Sequence, residues 1–177
     1  KGLHHSKRDA YDHYLPKVLY PFNSINFRNL APACHDCNST YKHSKDPAHG
    51  DDGRRKAFYP YAVANHNIEL RVNLKHADID RLTPADIELQ FGPDEISEEI
   101  ETWKSIYGIE ERYLAKLLGE NDGKCWITQA LEEGPERGMS VADVLDYHAR
   151  QAQKRPVADC NFLKFAYLQG CHKAGIL

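Results

Sequence analysis

The sequence holds no run of 18 consecutive apolar residues, which argues against an ordinary membrane-spanning helix. It shows no signal-peptide pattern, and it starts at Lys1 rather than methionine, as expected of a chain trimmed or only partly observed upstream. Cysteine is sparse and odd in number, with five residues at positions 34, 37, 125, 160 and 171. A secreted disulfide scaffold would be richer and evenly paired, so the composition favours a reduced, cytoplasmic protein. No internal repeat or low-complexity tract interrupts the chain. What is present is ordinary for a globular protein: 177 residues, 41% apolar and 28% charged. That length suits one domain, or a small module followed by a larger one.

Charge is distributed unevenly. Residues 1–60 carry ten Lys/Arg against six Asp/Glu, with six of the ten histidines, and residues 61–177 carry thirteen against twenty. A net charge of −3 thus conceals a basic N-terminal part, where a polyanion would bind, and an acidic remainder. Solvated surface alone produces the same asymmetry, so charge does not decide between these readings.

The hydrophobic pattern places an α+β fold on the chain. Asp9–Tyr14 and Leu30–Cys34 read as strands joined irregularly through Pro16, Pro21 and Asn23-Ser24, and residues 36–44 suit a short helix. The polar stretch Asp46–Lys56 reads as a loop, giving a small module over residues 1–60 and a second region over 61–177. In that region Ile68, Leu70, Val72 and Leu74 alternate with polar residues, as do Ile87, Leu89 and Phe91, which predicts a β-hairpin with a long connection. Helical spacing follows: Ile96, Ile100, Trp103 and Tyr107 after an Asp94 cap and before Gly108, then Tyr113, Leu114, Leu117 and Leu118 up to Gly119. A capping box at Ser140 and Asp143 opens a third helix that stops before Pro156, and a last one is expected over Val157–Gln169.

The residues suited to chemistry cluster within 31 positions: Asp12-His13, Lys17, Asn29-Leu30, Cys34-His35-Asp36-Cys37-Asn38 and Lys42. A carboxylate beside a histidine offers a hard oxygen ligand and a base that titrates near neutrality. Neighbours on a regular strand face opposite ways, so Asp12 and His13 share one site only at a strand end, which Pro16 supports. Asn38, at the start of the following helix, can present its amide oxygen to the same ion, and Lys17 and Lys42 add charge suited to phosphate. Taken singly these features are weak, since an Asp-His pair is usually structural and a lone CxxC fits zinc, redox chemistry or neither. Their order is the stronger signal.

The segment DHYLPK…NLAPACHDCN…K closely resembles the HNH, or ββα-metal, endonucleases, over about residues 10–45. That resemblance implies a small ββα-metal module and hydrolysis of phosphodiester bonds in DNA. It implies His13 as general base and Asp12 as ligand of one Mg²⁺ or Mn²⁺. It implies Asn29 as the residue tying down the loop that orients the base, and Asn38 as a second oxygen donor in the place of the family's last histidine. In many members Cys34 and Cys37 would be half of a structural Zn²⁺ site whose other CxxC precedes the DH pair, and none precedes it here. Three readings stay open: an upstream pair before Lys1, completion by His4 and His5, or thiols without metal. A helical region after such a module also resembles nuclease subunits of bacterial anti-phage systems of the retron and Septu kinds, which implies an ATPase partner bound through that region.

Other residues carry two readings each. Arg54-Arg55-Lys56 is a phosphate contact or an exposed loop, and His35 and His43 are ligands, DNA contacts or solvent-facing polar residues. Phe58, Tyr59 and Tyr61 suit packing better than base stacking. Trp103, Tyr107, Cys125 and Trp126 read as core, and Cys160 and Cys171 as core or chance. The rival functions are a catalytically silent zinc-knuckle module that binds nucleic acid, and an adaptor whose acidic helical region is its main working part.

Overall fold

The computed structural model describes residues 11–63 and 67–176. They fall into two units, one within Lys1–Asn67 and Asp94–Ile109, the other within Ile68–Pro93 and Glu110–Leu177. A linear reading divides the chain at 60/61, whereas in the structure residues 94–109 group with the N-terminal unit. His4 and His5 lie outside the described residues.

In the first unit, β1 (Tyr11–His13) pairs antiparallel with β2 (Leu30–Pro32), Asp12 opposite Ala31 and His13 opposite Leu30. The connection is irregular but ordered by 3₁₀ turns at Pro21–Asn23 and Phe27–Asn29. Asp36–Lys42 then forms a π-helical segment, closed by a bond from His43 N to Asn38 O of 2.8 Å. Such wide turns are rare and concentrate at functional sites. The stretch expected to be loop contains a minimal hairpin, β3 (His49–Gly50) with β4 (Gly53–Arg54).

Helix α1 (Ser97–Tyr107) completes this unit. Asp94 does not cap it: that residue opens a 3₁₀ turn over Asp94–Ile96, and the cap position falls on Ile96. Gly108 ends the helix in the left-handed conformation, φ 58°, as its lack of a side chain allows. A Cβ there would also come within 2.5 Å of the Tyr41 ring, so the close passage of the π-helical segment needs glycine. Lys45 Nζ donates to the Ser105 carbonyl at 3.1 Å, answering an orphan acceptor at the helix's negative end. At the other end Lys56 N donates to Glu98 at 2.7 Å.

The second unit is built on β5 (Glu69–Leu74) and β6 (Ile87–Gly92), antiparallel with Leu70 opposite Phe91 and Val72 opposite Leu89. The alternation read from the sequence is realised, with Leu70, Val72 and Ile87 buried. Helices α2 (Ile109–Leu117), α3 (Gly123–Arg137), α4 (Val141–Gln153) and α5 (Asn161–Ala174) supply the rest. Leu117, Ile127, Leu145, Leu163, Tyr167 and Leu168 form one apolar cluster with the strands. Ser140 caps α4 by accepting from Asp143 N at 3.1 Å. Helix α5 starts four residues later than expected, because Asp159 and Cys160 have positive φ values of 48° and 59°. Cys171 is buried while Cys160 is exposed, so the second is no core residue. The chain is therefore α+β, with small antiparallel sheets and a helical majority, and among the described residues no helix is long and apolar enough to cross a membrane.

Candidate functional site

His13 is the last residue of β1, and this lets adjacent residues serve one place. Asp12 and His13 line one cavity of about 540 Å³, together with Lys17, Asn38, Ser39 and His43. Strand β1, paired with β2, brings Asp12 and His13, and the π-helical segment after β2 brings Asn38.

Each of these side chains is held differently. His13 Nε2 lies 3.1 Å from the Ser24 carbonyl. A carbonyl only accepts, so the contact puts the proton on Nε2 and leaves Nδ1 of the neutral ring as the acceptor. Asn29, only 3% exposed, spans the loop that carries Ser24. Its Oδ1 accepts from Leu15 N at 2.7 Å, and its Nδ2 donates to Leu15 O at 3.0 Å and Asn23 O at 3.2 Å. Three bonds from one buried amide fix both ends of the loop against which the imidazole rests. The Asn38 carboxamide makes no hydrogen bond to a described residue, and it faces the cavity.

Asp12 is 5% exposed and has a buried cation beside it. Lys42, 1% exposed, donates from Nζ to Asp12 Oδ1 at 3.0 Å and to the His13 carbonyl at 2.7 Å. Burial raises the Asp12 pKa above the usual carboxylate value, with the Lys42 ammonium working against that rise. Lys42, read from the sequence as a phosphate contact, is thus turned inward and engaged by the carboxylate. Tyr107 of α1 also belongs to this environment, since its hydroxyl pKa is raised first by burial and then by the nearby charges of Asp12 and Cys37. A sequence reading that assigned Tyr107 to a helix core had no signal for this. For Lys42 there was one: it lies four residues after Asn38 on a helix, hence near the same face.

The basic run is divided. Arg54 is exposed on β4, whereas Arg55 turns inward and donates from Nη2 to the Asp46 carbonyl at 2.5 Å. Lys56 pairs with Glu98 at 3.6 Å. Asp46 organises the same region, accepting from Tyr20 Oη at 2.6 Å and Ala48 N at 2.8 Å. Burial pushes its pKa up, but these bonds and His49 outweigh it and the net shift is downward. His43 is exposed at the cavity rim and His35 is exposed as well. Tyr59 and Tyr61 pack edge-on with their hydroxyls on the Arg28 and Leu30 carbonyls, which fits packing and not stacking on bases.

For a divalent ion, the donor set offers one carboxylate and one amide oxygen at a water-accessible cavity. Mg²⁺ commonly keeps several waters and takes one or two protein oxygens plus substrate phosphate, so the residues fit such an ion. For zinc, Cys34 is exposed and Cys37 half-buried, and no group of three or more His, Cys, Asp or Glu that could hold a metal occurs among the described residues. Compared with known proteins, the chain matches no family model, no curated protein and no solved structure.

Proposed function

We propose that this chain is an HNH-type, ββα-metal endonuclease that hydrolyses phosphodiester bonds of nucleic acid, with DNA the first expectation, at the cavity of Asp12, His13 and Asn38. The observation that carries the reading is the convergence of those three side chains on one cavity, with Asn29 fastening the loop behind the base. In this reading Nδ1 of neutral His13 takes a proton from the attacking water while Nε2 stays bonded to Ser24 O. Asp12 and Asn38 would hold a single Mg²⁺ or Mn²⁺, which supplies charge neutralisation at the phosphorane and the leaving 3′ oxygen. Lys42 aligns Asp12 and works against the rise that burial causes in its pKa, and Lys17 and Arg54 face solvent where phosphates approach.

Cys34 and Cys37 are proposed as half of a zinc knuckle, and the helical region as the binding face for an ATPase partner in anti-phage defence. Both extensions rest on the sequence resemblance alone. One observation supports a rival as well: the Lys42 ammonium already balances Asp12, an arrangement equally suited to a silent nucleic-acid-binding module. Cleavage of supercoiled plasmid with Mg²⁺ or Mn²⁺ decides between them. Metal-dependent nicking that disappears in His13→Ala supports the nuclease, whereas binding without cleavage under every metal and partner condition supports the silent module.

A further inference from the structure

The connection between β1 and β2 inverts the usual placement of apolar residues. Phe22 is 98% exposed, Ile25 85% and Phe27 84%, and Val18 and Leu19 are exposed too. Large apolar side chains gathered on one surface segment mark an interaction site more often than chance exposure. The loop does not need these side chains for its own order. Ser24 Oγ donates to Pro21 O at 2.7 Å, Asn26 Nδ2 to Asn23 Oδ1 at 3.1 Å, and Arg28 N to Asn26 Oδ1 at 3.0 Å. Its polar groups turn in toward Asn29 and His13, while Phe22, Ile25 and Phe27 are left in water.

Charge and position indicate what covers them. From residue 13 to residue 35 there is no Asp or Glu, while Lys17 and Arg28 flank the apolar residues and are exposed. The segment is also continuous with the cavity, because Lys17 and Val18 line it beside Asp12 and His13. Exposed rings on a preordered, carboxylate-free loop with cations at both ends suit a polyanion whose bases are free to stack. A duplex keeps its bases stacked on one another and offers these rings no face.

We propose that Phe22 and Phe27 form a stacking platform for unpaired bases, so that the site takes single-stranded nucleic acid, or strands opened beside the scissile bond. The inference rests on reading the cavity as a nucleic-acid site, but it concerns binding and is tested without cleavage. The protein carrying His13→Ala is titrated, with fluorescence anisotropy as readout, onto a fluorescein-labelled oligothymidylate of roughly 12 nucleotides and onto the matching duplex; this length lies within the range of stacking grooves. Phe22→Ala and Phe27→Ala should each weaken single-strand binding about tenfold, and about a hundredfold together, while leaving duplex binding nearly unchanged. Phe22→Tyr with Phe27→Tyr should restore it, because the ring face is kept.

Equal losses on both probes, or no binding of the single strand by the parent protein, overturn the inference. So does unchanged oligonucleotide affinity in a double-alanine protein that has lost self-association by sedimentation, which would make the surface a protein contact. Ring-dependent single-strand binding in a protein that never cleaves plasmid upholds this inference and sinks the nuclease reading. Plasmid cleavage with ring-independent binding does the reverse.

Discussion

Replacing Lys42 by methionine probes the energetic centre of the site. The substitution keeps the unbranched stem and most of the volume of a residue 1% exposed, and removes only the ammonium that meets Asp12 Oδ1 at 3.0 Å and His13 O at 2.7 Å. Breaking a buried ion pair by deleting one partner costs about 3–5 kcal/mol, because the remaining charge stays desolvated. Asp12 can limit that cost by taking up a proton. Burial already raises its pKa, and loss of Lys42 removes the main opposing influence, so the value rises further. A carboxyl whose folded pKa lies above its unfolded value contributes stability below the unfolded value and loses it as pH rises through the folded one. Lys42→Met should therefore be close to wild type in stability at acid pH and fall behind as pH approaches 7. Trp103 lies on α1 in the first unit and Trp126 on α3 in the second, so a Trp126→Phe background makes urea denaturation report on the first unit. Asp12→Asn with Lys42→Met should recover most of the loss, since a neutral amide needs no cation. A cost under about 1 kcal/mol at pH 7, or a double variant no better than the single, would refute the reasoning.

Asn29→Ala leaves Leu15 N and O without their partners, which should cost about 2–4 kcal/mol and lower plasmid cleavage by unmooring His13; wild-type denaturation midpoints would contradict this. Gly170→Ala puts a Cβ 2.3 Å from the Val72 carbonyl where α5 crosses β5, and should destabilise the second unit by roughly 1–3 kcal/mol, read by Trp126 fluorescence on denaturation. Asp46 has a lowered pKa, so its contribution is present above the unfolded value of 3.8 and lost as pH falls through the folded one. Acid unfolding followed at Trp103 should accordingly be shallower in Asp46→Asn, and an unchanged acid limb would count against the Tyr20 and Ala48 bonds as its cause.

What the sequence discloses depends on how local the cause is. The β5–β6 hairpin was readable because Leu70, Val72 and Leu74 alternate strictly with polar residues, whereas its register comes only from the structure. Helix α3 was not, because Gly123, Gly134 and Pro135 look like breakers. Gly123 is instead required where a Cβ would fall 1.9 Å from the Leu117 carbonyl, and Pro135 falls in the last turn, so the intrahelical bond it forfeits lies just before the helix ends at Arg137 and leaves the preceding turns intact. Two-residue strands such as β3 and β4 leave no periodic trace. At the candidate site, Asp12, His13, Asn29 and Asn38 were legible as residue types in order. The inward turn of Lys42 and the arrival of Tyr107 arise from tertiary contacts between segments far apart in the chain.

The central claim, that His13 is the base of a nuclease, is tested most directly by single-turnover cleavage of plasmid by His13→Ala with Mn²⁺, in the absence and presence of imidazole. Loss of a general base should slow the reaction about 10²- to 10⁴-fold, and imidazole diffusing into the space left at the cavity should restore part of it. Cleavage by His13→Ala at the wild-type rate, insensitive to imidazole, would contradict the account.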